Sequence, residues 1–506
     1  RLQGDWSSDV CSSDLIILTF LFYKQSFGIN LLIGEIIFFA WLLYNRSLPL
    51  KGKYTITLGV GLLLTGFFSV INHSAFTIFI NLIVLFIFSG LLIFPQTKSL
   101  IYAAGNGFHK LLNGPAMFLS DLSGKKRGNS SRFWRKFSIF ALPVMIILFF
   151  VLIYRLANPI FDNALLEISD FIEDTFGKIF EYVDFLVVPV FLVCMFVSIF
   201  LLNGTPNQYL IELNKKATLF LVRQRKPFLH TFRMTALKNE LKAGVFLFLV
   251  LNILLLILNF IDIRWVWFGF EWEGEYLKQF VHEGTYLLIL SILISIALVI
   301  YFFRGNQNFY SQNRLLKILS YAWIFQNGIL AVSVAIRNFW YIHYFALAYK
   351  RIGVIIFLLL TLYGLYTVFM KVKHRKTSFY LFKQNSFAII LVLMISSLIH
   401  WDQFIAKYNF AHADKSFLHL DFMSGLPDKT LPHLDKTLEE LKGIQKKQAA
   451  LFPFEEKYML PEDYVQHIAN RKNDFMDKWE NTSLLSWNLA EYRAYQKLKE
   501  KNNLEK

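Results

Sequence analysis

Glu35 is the one carboxylate that the sequence places well inside an apolar stretch. It lies in LLIGEIIFFAW, which has the composition of a membrane span. A charged side chain at the centre of a bilayer costs at least about 2.5 kcal/mol, so an acid at that depth faces protein or water and is a functional candidate by default. The alternative is a protonated Glu35 that only hydrogen-bonds a neighbouring helix. The sequence leaves both interpretations open.

Two amides and an arginine share a later apolar stretch. Gln326 and Asn327 are adjacent in YAWIFQNGILAV, and Arg337 closes the same span. Amides at that depth usually hydrogen-bond across helices, which would make them packing groups. The alternative is a polar patch along a solute path. Under that alternative Glu35, Gln326, Asn327 and Arg337 are the substrate-binding residues.

His282 and Glu283 stand together in QFVHEGTY, at the outer end of another span. They are weak candidates for a catalytic acid and base or for part of a metal site. No second histidine follows at the HExxH spacing, so the pattern excludes a metalloprotease of that type. The sequence favours a surface pair at a helix start, with Glu283 stabilised by the helix dipole.

Four histidines after the last apolar stretch each precede an aspartate by two residues. In an extended chain this spacing puts imidazole and carboxylate on one face, where they suit a transition metal. In a helix it does not, and parts of this region have a helical pattern. We therefore expect ordinary polar pairs here, and no cofactor. The pairs are His400 and Asp402, His412 and Asp414, His419 and Asp421, and His433 and Asp435.

The composition of the chain indicates that membrane-spanning helices position these residues. The 506 residues are 55% hydrophobic and 17% charged, against a charged share of about 25% in soluble domains. Apolar runs recur from Leu15 to Ile399, many approaching the roughly 20 residues that cross a bilayer as a helix. We predict an all-α polytopic bundle of about eleven spans, the first of them truncated. The spans are Leu15–Tyr23, Ile29–Tyr44, Tyr54–Val70, Ala75–Phe94, Ser138–Tyr154, Phe185–Leu202, Ala243–Ile261, Thr285–Phe303, Leu315–Ala335, Ile352–Met370 and Phe387–Ile399.

The loops set the orientation. Lysine and arginine concentrate in alternate loops, as the positive-inside rule requires, while the loop 158–184 is acidic. This predicts a bacterial cytoplasmic-membrane protein whose native amino-terminal side is cytoplasmic and whose carboxyl terminus is outside. The same rule accounts for the net charge of +16, so we expect the lipid bilayer as partner and no nucleic acid. GKKRGNSSR lacks the spacing of a phosphate loop.

The region 401–506 is predicted to be helical. Leu434, Leu438, Leu441 and Ile444 follow helical spacing, and Pro461-Glu462-Asp463 is a helix-start signal. We expect this extracytoplasmic tail to pack on itself or on the outer mouth of the bundle, and to be the contact for any envelope protein. A second amphipathic element, 161–182, is expected at the outer interface.

The first residues do not match the rest of the chain. Arg1–Asp14 lacks the features of a signal peptide, and GDWSSDVCSSDL resembles a translated sequencing adapter. We expect a non-native leader at 1–14, a transmembrane domain at 15–400 and the tail at 401–506. Cys11 and Cys194 provide no disulfide framework.

Several segments together resemble a known bacterial family. They are KQSFGINLL, ANPIFDNAL, FVHEGTY, LYGLYTVFMKVKHR, HWDQFIAKYN and SWNLAEYRAYQKL. As a set they resemble the multi-pass membrane family catalogued as domain of unknown function 4173, akin to the 4153 group. The resemblance implies an integral membrane protein with a helical carboxyl-terminal part and no established activity.

Three functions fit these observations. A transporter-like protein would use the intramembrane polar groups on a path between helices. An accessory or sensory scaffold would bind a partner through the external tail. A membrane enzyme acting on lipid or envelope glycan, with His282 and Glu283 as acid and base, is the weakest of the three, so the sequence favours a function without catalysis.

Overall fold

The computed structural model describes residues 16–45, 52–124, 187–223, 232–268, 275–452 and 459–504, together with 164 and 167. Side chains are described in these ranges except at 116–124, 232–236, 275–283 and 504. The described ranges form helices and loops, with an isolated β-bridge between Phe220 and Lys376. The all-α class is confirmed. The chain divides into two compact units, 1–215 with 482–489, and 216–481 with 490–506.

The first unit is built on short connections between apolar helices. Two residues join α3 to α4, and α3 ends where His73 takes a left-handed conformation. Gly90 of α4 lies so close to α5 that a Cβ there would be 2.0 Å from the Ala103 carbonyl oxygen. The helices of this unit are α1 (16–22), α2 (Ile29–Tyr44), α3 (Lys53–Asn72), α4 (Ala75–Ile93), α5 (Leu100–Gly124), α6 (Val187–Leu202) and α7 (Gln208–Lys216).

The second unit begins with long apolar helices that pack around one central helix. Helix α10 contacts α8, α9 and α11, and α12 packs on α11. Phe248, Ile292, Leu316 and Val334 are fully buried at the centre of this group. The long helices are α8 (Phe232–Asp262), continued by a π-helical turn at Ile263–Trp267, α9 (Glu275–Phe302), α10 (Arg314–Phe345), α11 (Tyr349–His374) and α12 (Ser378–Ser397).

The tail helices of the second unit have an apolar core of their own, which also takes in the end of α10 and the start of α11. Helix α16 begins with a capping box formed by Thr437 and Glu440. Helix α17 begins at Pro461, as predicted, with acids in its first turn. The tail helices are α13 (Trp401–Ala411), α14 (Leu420–Ser424), α15 (Leu431–Leu434), α16 (Leu438–Leu451), α17 (Pro461–Glu480) and α18 (Leu489–Leu504).

Seven helices of the described residues are long and apolar enough to cross a membrane, and α2 and α6 are shorter apolar helices. They fall on the predicted spans, and α2 has the predicted bounds. The predicted span Ser138–Tyr154 and almost all of the amphipathic element 161–182 lie outside the described residues. Helix α5 lies between the predicted spans Ala75–Phe94 and Ser138–Tyr154, where the sequence predicted a loop.

Candidate functional site

Helices α8 and α10 run side by side in the same direction and share a row of polar groups. On α8, Asn252, Asn259 and Asp262 are seven and three residues apart, which places them on one helix face. Their partners on α10 are seven and four residues apart, also on one helix face, and are met in the same order along the chain. We call this row the α8–α10 seam. It comprises Asn252, Asn259, Asp262, Gln326, Ser333 and Arg337.

Amides form the first part of the seam. The Gln326 Nε2 donates to the Asn252 Oδ1 at 2.7 Å, and the Asn259 Nδ2 donates to the Gln326 carbonyl oxygen at 3.2 Å. Asn252 also donates to the Leu319 carbonyl oxygen at 3.0 Å. Gln326 therefore bonds across helices, as intramembrane amides usually do. Asn327 donates instead to the carbonyl of Trp323 in its own helix, at 2.8 Å.

An ion pair closes the seam. The Arg337 Nη2 donates to the Asp262 Oδ1, and the Ser333 hydroxyl donates to the Asp262 Oδ2 at 2.6 Å. Arg337 is 5% exposed and Asp262 is 3% exposed. Removing one member of a buried pair leaves the other charge uncompensated, which typically costs about 3–5 kcal/mol. Each charge of the pair therefore offsets the cost of burying the other.

The backbone changes its helix type beside this pair. Asp262 is the last residue of α8, and the chain continues as the π-helical turn Ile263–Trp267 within the same span. The Trp340 indole nitrogen donates to the Val266 carbonyl oxygen at 2.9 Å, so α10 also braces the turn. π-Helical turns are rare and are frequent at functional sites.

The sequence missed Asp262. The predicted span ended at Ile261, whereas the apolar helix continues through Asp262 to Trp267, so a second buried carboxylate lies within a candidate span. The available signal was an acid directly after an apolar run, with Arg337 in another span. Whether they meet depends on the rotation and depth of two helices, which neither segment encodes alone.

Glu35 lies between α2, α3 and α4 in the first unit and is 3% exposed. The Asn81 Nδ2 donates to the Glu35 Oε1 at 2.6 Å, and also to the Thr65 Oγ1 at 3.2 Å. The other carboxyl oxygen packs on Gly66, where an added Cβ would lie 2.0 Å from it. In the described ranges no lysine or arginine forms an ion pair with Glu35. Its contacts are those of a carboxyl group hydrogen-bonded to a neighbouring helix.

His282 and Glu283 lie in α9, but their side chains are outside the described residues. Their proposed acid and base roles stay predictions.

The first of the His-x-Asp pairs sits in a buried cluster at the start of the tail. Asp402 is 4% exposed, accepts a hydrogen bond from the Tyr349 hydroxyl and lies 2.5 Å from the Lys429 Nζ. Both ring nitrogens of His400 are buried without a hydrogen-bond partner in the described part of the chain. Burial, helped by repulsion from Lys429, lowers the pKa of His400 to about 4. His400 is therefore neutral at neutral pH.

The histidines of the next two pairs each contact an aromatic ring. His412 stacks on Tyr408 with ring centroids 4.1 Å apart, and Asp414 is exposed. His419 lies against Phe417 at 4.5 Å, and Asp421 is exposed.

In the last pair, the charged partners of Asp435 are lysines. Asp435 binds the Nζ atoms of Lys472 and Lys501 at 2.8 and 2.7 Å. Burial lowers the pKa of His433 to about 4. Within the ranges that the structure describes, no three His, Cys, Asp or Glu side chains come together as ligands for a metal ion.

Comparison with known protein families gives a match over most of the chain. The model of the family described as domain of unknown function 4153 matches residues 54–437, more than half of the chain. The chain belongs to this family. No curated protein and no solved structure matches.

The matched segment of this 4153-family protein contains the whole α8–α10 seam and the cluster of His400, Asp402 and Lys429. Glu35 precedes it. Family membership and the apolar helices identify an all-α membrane protein whose family has no assigned function.

Proposed function

We propose that this protein is a transporter-like protein of the bacterial cytoplasmic membrane, with the α8–α10 seam on its proton or solute path. The observation that carries the proposal is the ion pair of Asp262 and Arg337, buried within membrane-spanning helices. Ionisable residues inside spans are costly and most often belong to ion pathways or proton relays.

The arrangement of the seam supports a path more than a single structural pair. From Asn252 to Asp262 the polar face extends about 15 Å along α8, at 1.5 Å per residue. That is about half of the roughly 30 Å of hydrocarbon. The groups along it offer both donors and acceptors. The π-helical turn at the end of the row supplies a backbone that can change its hydrogen bonding without breaking the span.

Glu35 has a packing role in this proposal and no role in transport. Its hydrogen bond to Asn81 supplies a sufficient packing role, and it has no charged partner in the described ranges. We therefore place the coupling function at Asp262 and Arg337 and keep Glu35 as a comparison residue.

Proton flux into liposomes tests the proposal. The purified protein is reconstituted with a trapped pH-sensitive dye and a pH gradient is imposed. Asp262→Asn and Arg337→Gln should each lower the protein-dependent flux at least about tenfold, which corresponds to about 1.4 kcal/mol in the barrier. The matched control is Asn327→Ala, because Asn327 is equally buried but bonds its own helix. Glu35→Gln should retain flux.

The control for folding is a monodisperse gel-filtration peak for every variant. If the flux of both Asp262→Asn and Arg337→Gln equals that of the wild type, the seam has no role in transport. No flux in the wild type, beside a working positive control, refutes proton transport and favours the accessory or sensory alternative, in which the tail binds an envelope partner.

The orientation belongs to the same proposal. The basic alternate loops support a cytoplasmic native amino-terminal side and an external carboxyl terminus. A reporter enzyme active only outside the cytoplasm, fused after Lys506, should be active. The finer grouping with the 4173 family is also a proposal, supported by the segments that resemble it.

A further inference from the structure

A cavity of about 280 Å³ opens where α10 gives way to α11 and the tail covers the turn. Opposite charges line it, since Arg351 comes from the first turn of α11 and Asp421 from the first turn of α14. The rest of the wall is largely apolar, with Phe345 among its residues, and it also includes the polar side chains of Asn409 and His419. A mostly apolar concave site with a few polar groups is the usual form of a small-ligand pocket.

Arg351 is held firmly but only by neutral groups. Its Nη1 donates to the Phe345 carbonyl oxygen at 2.5 Å and also to the Ala346 carbonyl oxygen. Its guanidinium carbon lies 4.2 Å from the centre of the Tyr341 ring. No carboxylate of the described residues forms an ion pair with it. A planar guanidinium fixed in this way is suited to receive a carboxylate or phosphate.

The turn that forms the cavity floor is strained. Ala346 has φ +61° and ψ −169°, a conformation that is almost confined to glycine. Asn409 fixes the next residue, because its Oδ1 accepts from the Leu347 amide at 2.7 Å and its Nδ2 donates to the Leu347 carbonyl at 2.9 Å. Strained backbone held in place by its surroundings clusters at ligand clamps and active sites.

The two charges can be satisfied together by one class of molecule. Asp421 is exposed at the cavity and can accept hydrogen bonds from an ammonium group, while Arg351 can bind an oxyanion. A volume of about 280 Å³ equals that of roughly nine waters at about 30 Å³ each, which admits a small organic molecule. We propose that this cavity binds a small zwitterion, with its oxyanion at Arg351 and its ammonium group at Asp421.

This chemistry has two sources, a free amino acid and the headgroup of an aminophospholipid. Binding of L-amino acids to the full chain in detergent, measured by calorimetry, tests the first source. Nanodiscs with and without phosphatidylethanolamine, compared by the thermal stability of the protein in them, test the second. Each source predicts a positive result in its own arm, and failure of both arms overturns the proposal.

Variants then assign the two ends of the ligand. Asp421→Asn should weaken binding of the positive probe at least about tenfold, and Arg351→Lys should do the same because the planar fork is lost. The controls are Asp414→Asn, which makes the same charge change as Asp421→Asn, and Lys350→Gln, which removes a neighbouring positive charge; both residues are exposed and do not line the cavity. Both controls should bind as the wild type does.

Modified probes separate a zwitterion site from a simple anion site. In the amino-acid arm the probe is the N-acetyl amino acid, which keeps the carboxylate but lacks the ammonium group. In the lipid arm it is phosphatidylglycerol, which keeps the phosphate. Either should bind at least about tenfold more weakly than its zwitterionic counterpart. Equal binding, or equal binding by Asp421→Asn, overturns the assignment of Asp421.

Discussion

The ion pair at the end of the α8–α10 seam makes a prediction about stability that a double-mutant cycle can measure. The changes are Asp262→Asn, Arg337→Gln and the two together. Asn and Gln keep much of the shape of the original side chains while removing the charges. With both partners about 95% buried, each single change leaves one charge without its counter-charge in an apolar surrounding.

The expected magnitudes follow from that burial. Each single variant should lose about 3–5 kcal/mol, the usual cost of leaving a buried charge unpaired. Arg337→Gln should lie toward the lower end, because the Ser333 hydroxyl still donates to Asp262. The double variant leaves no charge, and we expect it to lose less than either single variant, since replacing both members of a buried pair is often nearly neutral.

The assay is unfolding of the purified protein in mild detergent on titration with a denaturing detergent, followed by tryptophan fluorescence. Asn327→Ala serves as the control for a buried polar change outside the pair. If the losses of the two single variants simply add in the double variant, the charges do not stabilise each other. That result would refute the pairing and, with it, the basis of the proposed path.

Three further predictions concern packing, pH and strain. Gly90→Ala should destabilise by about 1–3 kcal/mol, because its Cβ would lie 2.0 Å from the Ala103 carbonyl oxygen; Gly328→Ala, with nothing within 4 Å, should not, and a thermal melt of both checks this. The pKa of His400 is about 4 in the folded protein and 6.5 in the unfolded protein. Because the unfolded state binds the proton first as the pH falls, the free energy of unfolding should be highest above pH 6.5 and should decrease as the pH falls toward 4. The loss is about 1–2 kcal/mol after allowance for partial exposure, and the acid-dependent shift in melting temperature should shrink in His400→Leu; an unchanged shift counts against it. Ala346→Gly should stabilise by up to about 1–2 kcal/mol through relief of strain, net of glycine's entropy cost, and a lower melting temperature would contradict the assigned conformation.

The membrane helices could be predicted from sequence because span formation depends on local composition. Transfer of a segment from water to hydrocarbon is decided by the residues in that segment. Helix α2 consequently has the predicted bounds Ile29–Tyr44. The start of α17 at Pro461 was equally local, since proline and acids favour the first helical turn. Helix α5 was not predicted, because its sequence is only modestly apolar and is interrupted by Lys110, so it does not resemble a membrane span.

Only the tertiary structure decided which polar groups meet. The sequence pointed to Arg337 but not to its partner Asp262, which lies 75 residues away. It also predicted ordinary polar pairs for the His-x-Asp motifs but could not name their partners, and the fold places Asp402 beside Tyr349 and Lys429. A pattern fixes the face on which a side chain emerges from its own helix. The facing partner depends on how two helices rotate and register against each other, and that is set by packing of the whole bundle.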